Sequence, residues 1–159
     1  MLKGNVMTEN TKTKLLNLKN QNIVTAEMQR MNLKYVDLSG SQMICADFSE
    51  SDISNSLLLD VNMQWAVMRD VCLNGSNLSG ANLENSNLKN ASLLGANLSG
   101  AKLKGVDFTD ADLTGAIFDN ADLEGVILTG ANLKDVSVIG VELSKFNADE
   151  ALNFCDLYF

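Results

Sequence analysis

Residues 81–105 read ANLENSNLKNASLLGANLSGAKLKG, with a leucine at every fifth place: Leu83, Leu88, Leu93, Leu98 and Leu103. Helices bury every 3.6th residue and strands every second one, so a period of five fits neither. Five helical residues advance the chain about 500°, which sends the stripe spiralling round the axis. A strand would put alternate leucines on opposite faces. A chain that turns a corner every five residues keeps them all inside. Four corners close a coil of about twenty residues, and coils stack at roughly 4.8 Å.

The register extends far beyond this stretch. Every fifth residue from Leu18 to Leu143 is apolar, including Met28, Phe48, Ile53, Met63, Phe108 and Val138. Two places earlier the residue is small or β-branched: mostly Ala or Val, with Ser at 41, 51, 56, 76 and 86. Only Leu16, Gln21 and Met31 are larger there. Each unit thus buries one large and one small side chain, and the walls are Asn, Asp, Ser, Lys, Thr and Gly. Gly75, Gly80, Gly95, Gly100, Gly105, Gly115, Gly125 and Gly130 close units where a corner needs permissive backbone angles. The span predicts about six coils in a rod of roughly 30 Å.

The units ANLSG, ADLTG, ADLEG and ANLKD resemble the pentapeptide-repeat family, with its A-(D/N)-L-x-x pattern. That resemblance implies an all-β fold, a right-handed quadrilateral parallel β-helix. Units between Ser41 and Val71 depart most from the pattern, yet their central positions stay apolar.

Three segments follow: a polar tail or cap over 1–15, the β-helix over 16–145, and a C-terminal capping or dimerisation element over 146–159. Asn147 with Glu150 makes a capping box, and Asp149 adds negative charge to the first turn. A short helix over about 148–157 is expected to lay Ala151, Leu152 and Cys155 on the last coil. Phe154, Leu157, Tyr158 and Phe159 would then remain partly exposed, more apolar surface than a monomer needs. In gyrase-binding members of the family, C-terminal elements pair two rods. The resemblance therefore implies a homodimer through these residues, against a cap folded onto its own coil.

The chain has 159 residues, 12 basic and 20 acidic, for a formal charge of −8. That disfavours direct binding to nucleic acid, where Lys and Arg must neutralise phosphates. With no apolar leader, no membrane-length apolar run and only three cysteines, the expected home is the cytoplasm. No histidine is present, which excludes His-based triads and His metal ligands. Asp107, Asp110 and Asp112 arise from two adjacent repeats and lack the full calcium-loop pattern. No glycine loop has the phosphate-cradling context. No catalytic residue, cofactor or metal is expected, and the reading is a rigid, non-enzymatic interaction module.

Two surface features are candidates for contact with a partner. Positions twenty apart share a face, so Glu27, Asp47, Glu50, Asp52, Asp70, Asp107, Asp110 and Asp112 form an acidic stripe, interrupted near Lys89 and diluted by Arg69. It reads either as a mimic of a nucleic-acid backbone or as a by-product of a motif that demands Asp and Asn. The family resemblance adds DNA gyrase or topoisomerase IV as a target of the mimic, since quinolone-resistance members bind gyrase with an acidic rod. The second feature is apolar: Ile44, Leu57, Leu59, Trp65 and Val67 point outward around the third coil, with Cys45 below Trp65. It reads either as a protein-binding hot spot or as local repacking.

Overall fold

The computed structural model describes residues 16–145 and 151–153. Four parallel ladders, each stepping by twenty residues, enclose one apolar core. The first wall carries Asn17, Asp37, Leu57, Asn77, Asn97, Ile117 and Ser137. The second carries Asn22, Gln42, Asn62, Asn82, Lys102 and Asp122; the third, Glu27, Asp47, Val67, Asn87, Asp107 and Ile127. The fourth carries Asn32, Asp52, Cys72, Ser92, Asp112, Asn132 and Leu152. A wall is so narrow that most pairings are single bridges. Only β1 (Leu16–Asn17) and β2 (Val36–Asp37) reach two residues.

Corners set the geometry. Every fifth residue from Asn20 to Gly140 has a positive φ, between 53° and 74°. A left-handed residue at the third place of a four-residue turn is the requirement of a type II β-turn. Most turns close through the expected bond, as in Ala91 N–H to Leu88 O at 3.1 Å. In four turns a serine of the next coil stands in for that bond. The Ser51 hydroxyl donates to Met28 O at 2.6 Å and accepts from Met31 N–H at 3.1 Å. Ser41, Ser56 and Ser76 do the same for the turns Leu18–Gln21, Leu33–Val36 and Ile53–Ser56. These buried hydroxyls are therefore hydrogen-bonded inside the core. Ser86 differs: its hydroxyl is buried without a partner, and the turn below it closes directly, Ala66 N–H to Met63 O, at 3.1 Å.

Large side chains fill the axis. Leu38, Met43, Phe48, Ile53, Leu58 and their successors through Leu113 are fully buried or nearly so. Phe108 and Phe118 approach from opposite walls edge to face, with centroids 6.1 Å apart.

The C-terminal expectation needs correcting. Ala151–Asn153 is not helical. Leu152 bridges Asn132, donates its N–H to Ala131 O at 2.7 Å and accepts from Leu133 N–H at 3.0 Å. The segment thus returns to the fourth wall, with Ala151 against the core and the Leu152 side chain exposed. An open ladder edge offers backbone partners at once, whereas a helix of two or three turns must nucleate first. The helical piece found here is a 3-10 turn, Leu143–Lys145, closed by Lys145 N–H to Glu142 O. The tail at 1–15, the remainder of 148–157, and Phe154, Leu157, Tyr158 and Phe159 lie outside the described residues.

Candidate protein-binding surface

The acidic stripe runs over the third wall, its corner with the fourth and, at Asp52 and Asp112, the start of the fourth, and half of its eight carboxylates are bound up in the coil. Asp47 accepts from Ser49 N–H at 2.9 Å, Ser49 Oγ at 2.6 Å and Gln29 Nε2 at 2.8 Å. Asp52, Asp107 and Asp112 fold back in the same way onto Ser54, Thr109 and Thr114. Ion pairs reach Asp52 from Lys34 at 2.9 Å and Asp107 from Lys89 at 3.1 Å. Burial alone would raise the pKa of Asp47, Asp52 and Asp107; these hydrogen bonds and cations outweigh it and hold all three below the ordinary value. Arg30 grips Glu50 through Nε and Nη2 at 2.8 and 3.0 Å and lowers its pKa against a smaller effect of burial.

Asparagine does the same backbone work in the same slot. Asn77, Asn87 and Asn97 each accept the N–H two residues on at 3.0–3.1 Å. The repeat therefore asks for a carbonyl-type oxygen there, not for charge. Of the stripe, Glu27, Glu50, Asp70 and Asp110 are exposed; Asp70 accepts from Asn90 at 3.1 Å.

The apolar candidates divide. Leu57 and Leu59 lie half-buried on the first wall, round a corner from the others. Ile44 is half-buried on the second wall, Trp65 stands on the corner between second and third walls, and Val67 begins the third. Trp65 is 58% exposed at φ 62°. Sequence reasoning missed two members of the same edge. Val24 is exposed one coil below Ile44, and Thr25 heads a corner column continued by Cys45 and Trp65. The available signals were an apolar residue at an outward slot, Val24, and a corner residue, Thr25, that departs from the Gly/Asn pattern.

Chemistry divides the second wall in two. From Asn22 to Trp65 its outward and corner residues are Asn22, Val24, Thr25, Gln42, Ile44, Cys45, Asn62, Gln64 and Trp65, with no charge among them. Higher up it carries Glu84, Lys102, Lys104, Asp122 and Glu124, with Lys104 and Glu124 paired at 2.6 Å. Amides line one side of the lower half, where Asn62 Nδ2 donates to Gln42 Oε1 at 3.0 Å. A ridge of Val24, Ile44 and Trp65 lines the other. Among the described residues no cluster of His, Cys, Asp or Glu is arranged to hold a metal ion, and no helix is long and apolar enough to cross a membrane.

Comparison with known proteins supplies the lineage. The family model for pentapeptide repeats (8 copies) matches residues 46–85, 72–110 and 107–144. The chain belongs to the pentapeptide-repeat family. Its coil is accordingly the right-handed β-helix of that family. Among solved structures, a pentapeptide-repeat protein of the Arabidopsis thaliana thylakoid lumen is 31% identical, with 67% of each chain covered and a TM-score of 0.34. QnrB1, a plasmid-mediated fluoroquinolone resistance protein, is 17% identical over 89% of this chain and 93% of its own, with a TM-score of 0.41. The Rfr23 repeat protein of Cyanothece 51142 is 25% identical over 86% and 90%, with a TM-score of 0.27. No curated protein matches the chain.

Proposed function

We propose that this protein is a non-enzymatic, rigid cytoplasmic module that binds another protein through the lower half of its second wall. The observation that carries this is a tryptophan more than half exposed, on a strained corner, at the edge of an uncharged wall. The coil imposes a left-handed residue at every corner, and a tryptophan there costs about 1–3 kcal/mol that a glycine would avoid. Trp anchors binding energy in many interfaces, and the stiff coil spares the backbone ordering cost of association. Pull-down from the native host tests the reading: Trp65→Ala should lose partners that Glu124→Gln, on the charged upper wall, retains. Identical partner lists for both variants and the wild type would refute it.

A second reading, a mimic of nucleic-acid phosphate that engages DNA gyrase or topoisomerase IV, draws on the exposed Glu27, Glu50, Asp70 and Asp110. It has less support, because Asp47, Asp52, Asp107 and Asp112 already serve the coil. It predicts an effect of the purified protein on gyrase supercoiling that charge reversal at Glu27, Asp70 and Asp110 removes; no effect of the wild type would end it.

A further inference from the structure

We infer that the lower second wall is the docking face for a second copy of this chain, laid antiparallel across a two-fold axis at Gln42–Cys45. This deepens the binding-module reading and rests on it. The argument begins with symmetry. A two-fold axis lying in the contact plane, perpendicular to the rods, keeps each residue in its column and exchanges the coil below the axis for the coil above. With the axis at the second coil, Asn22 faces Asn62, Val24 faces Gln64 and Thr25 faces Trp65, each twice. Gln42, Ile44 and Cys45 meet their own copies on the axis, as an isologous contact requires.

The pairings match chemically except Val24 against Gln64, whose amide is already turned to Glu84 of the next coil at 2.7 Å. Amides meet amides, and each carries both donor and acceptor. Ile44 packs on Ile44 at the centre. The Trp65 ring of one copy covers Thr25 and the neighbouring Val24 of the other, removing three of the exposed apolar and β-branched side chains from water.

Electrostatics restricts where two such chains can touch. Each copy carries a formal charge of −8, so a stable contact must avoid burying like charges. The lower second wall meets that condition across three successive rungs. On its near edge, Asp60 falls opposite Asn20, a neutral acceptor and donor. Its far edge is the Thr25, Cys45 and Trp65 corner; the charged Glu27, Asp47 and Arg69 lie beyond it on the third wall, which turns away from the contact. The same operation on the upper second wall, about Lys102–Lys104, would oppose each of these lysines to its own copy.

Size predicts the strength. Three rungs at about 4.8 Å spacing make a contact well below the ~800 Å² per partner of a stable complex. The pair is therefore reversible and concentration-dependent.

Cys45 on the axis makes the geometry directly testable. In a Cys72→Ser/Cys155→Ser variant of the full chain, a short bismaleimide should join two copies through Cys45, with yield rising with protein concentration. Sedimentation velocity should show the mass moving toward a dimer over the same range. Ile44→Glu, which puts two carboxylates on the axis, should cut the cross-linking yield about tenfold, and Trp65→Ala should do so to a lesser extent. Hydrogen exchange on both variants confirms that the coil is intact. A monomer at every concentration would overturn the pairing, as would a dimer whose cross-linking at Cys45 ignores both substitutions. Such a monomer whose protein partners are still lost with Trp65→Ala would overturn the second-copy assignment alone and leave the binding-module reading standing.

Discussion

Coils below and above about residue 70 follow one blueprint with different materials. From Gly75 to Gly140 every corner is Gly, Asn or Asp, the residues that enter the left-handed region at least cost. Below, the same corners include Thr25, Arg30, Tyr35, Cys45, Glu50 and Trp65. The four turns bridged by a serine hydroxyl also lie below, and their bridges come from Ser41, Ser51, Ser56 and Ser76. The upper corners keep to residues suited to the left-handed region, and the lower ones depart from that preference. In a stack where each coil touches only its neighbours, stability is a sum of local terms, so the two regions should differ in strength.

Cavities give the largest test. Phe108→Ala, which also breaks the contact with Phe118, should cost about 3–5 kcal/mol. Phe48→Ala should cost a similar amount, yet with a different pattern. Hydrogen exchange should then show the coils below residue 70 opening while Leu88 to Leu113 stay protected. Uniform loss of protection in both variants would mean that the rod melts as one unit and that the regional contrast has no energetic meaning.

Corner exchange isolates the backbone. Gly95 has φ 61° and open space where a Cβ would stand, so Gly95→Thr should cost about 1–2 kcal/mol from conformation alone. Thr25→Gly, at φ 57°, should return a similar amount. Gly130→Ala should cost about as much as Gly95→Ala, because the atom its Cβ would meet, Asp110 Oδ1, ends an exposed side chain that can turn aside. Thermal or urea unfolding of the four variants measures the contrast. Equal stability of Thr25→Gly and wild type would show that the lower corners relax without strain.

Much of this was legible in the period of five, and the reasons for the exceptions are physical. The inward column from Leu18 onward announces itself because burial tolerates few side chains there. Ala151–Asn153 was misread because its apolar residue, Leu152, occupies an outward slot, while the local capping signal at Asn147 and Glu150 favoured a helix. The acidic stripe looked like a surface charge pattern because sequence counts carboxylates without showing what they hold. Only coordinates reveal that Asp47 and Asn97 perform the same bond. Likewise Leu57 and Leu59 are near Trp65 in sequence but belong to another wall.

Serine substitutions probe the next smaller effect, and their signs differ. Ser86→Ala removes a buried hydroxyl that has no partner and should stabilise the protein by about 1 kcal/mol. Ser51→Ala removes the bridge between Met31 N–H and Met28 O and should destabilise by about 1–2 kcal/mol, unless the turn closes directly as its neighbours do. In that case the cost shrinks toward zero, and the hydroxyl bridge is an alternative closure without energetic advantage. Unfolding midpoints in urea decide between these outcomes.

The smallest effect is in pH. Asp37 is buried on the first wall; burial pushes its pKa up, but hydrogen bonds from Ser39 and the Lys19 ammonium at 3.0 Å outweigh it and hold the value below the usual one. A carboxylate depressed in the folded state stabilises fully above its unfolded value, near 4, and loses that contribution as pH falls through the lower folded value. Asp37→Asn keeps an oxygen for Ser39 N–H and discards the ion pair. The variant should therefore be less stable than wild type at pH 7, and the gap should close below about pH 4. Asp107→Asn repeats the experiment in an upper coil, where the carboxylate is likewise depressed and paired with Lys89. A larger gap at Asp37 than at Asp107 would fit their burial, since the Asp37 side chain is 5% exposed and that of Asp107 20%. Equal gaps would mean that the charges, unlike the corners, do not distinguish the two halves of the rod.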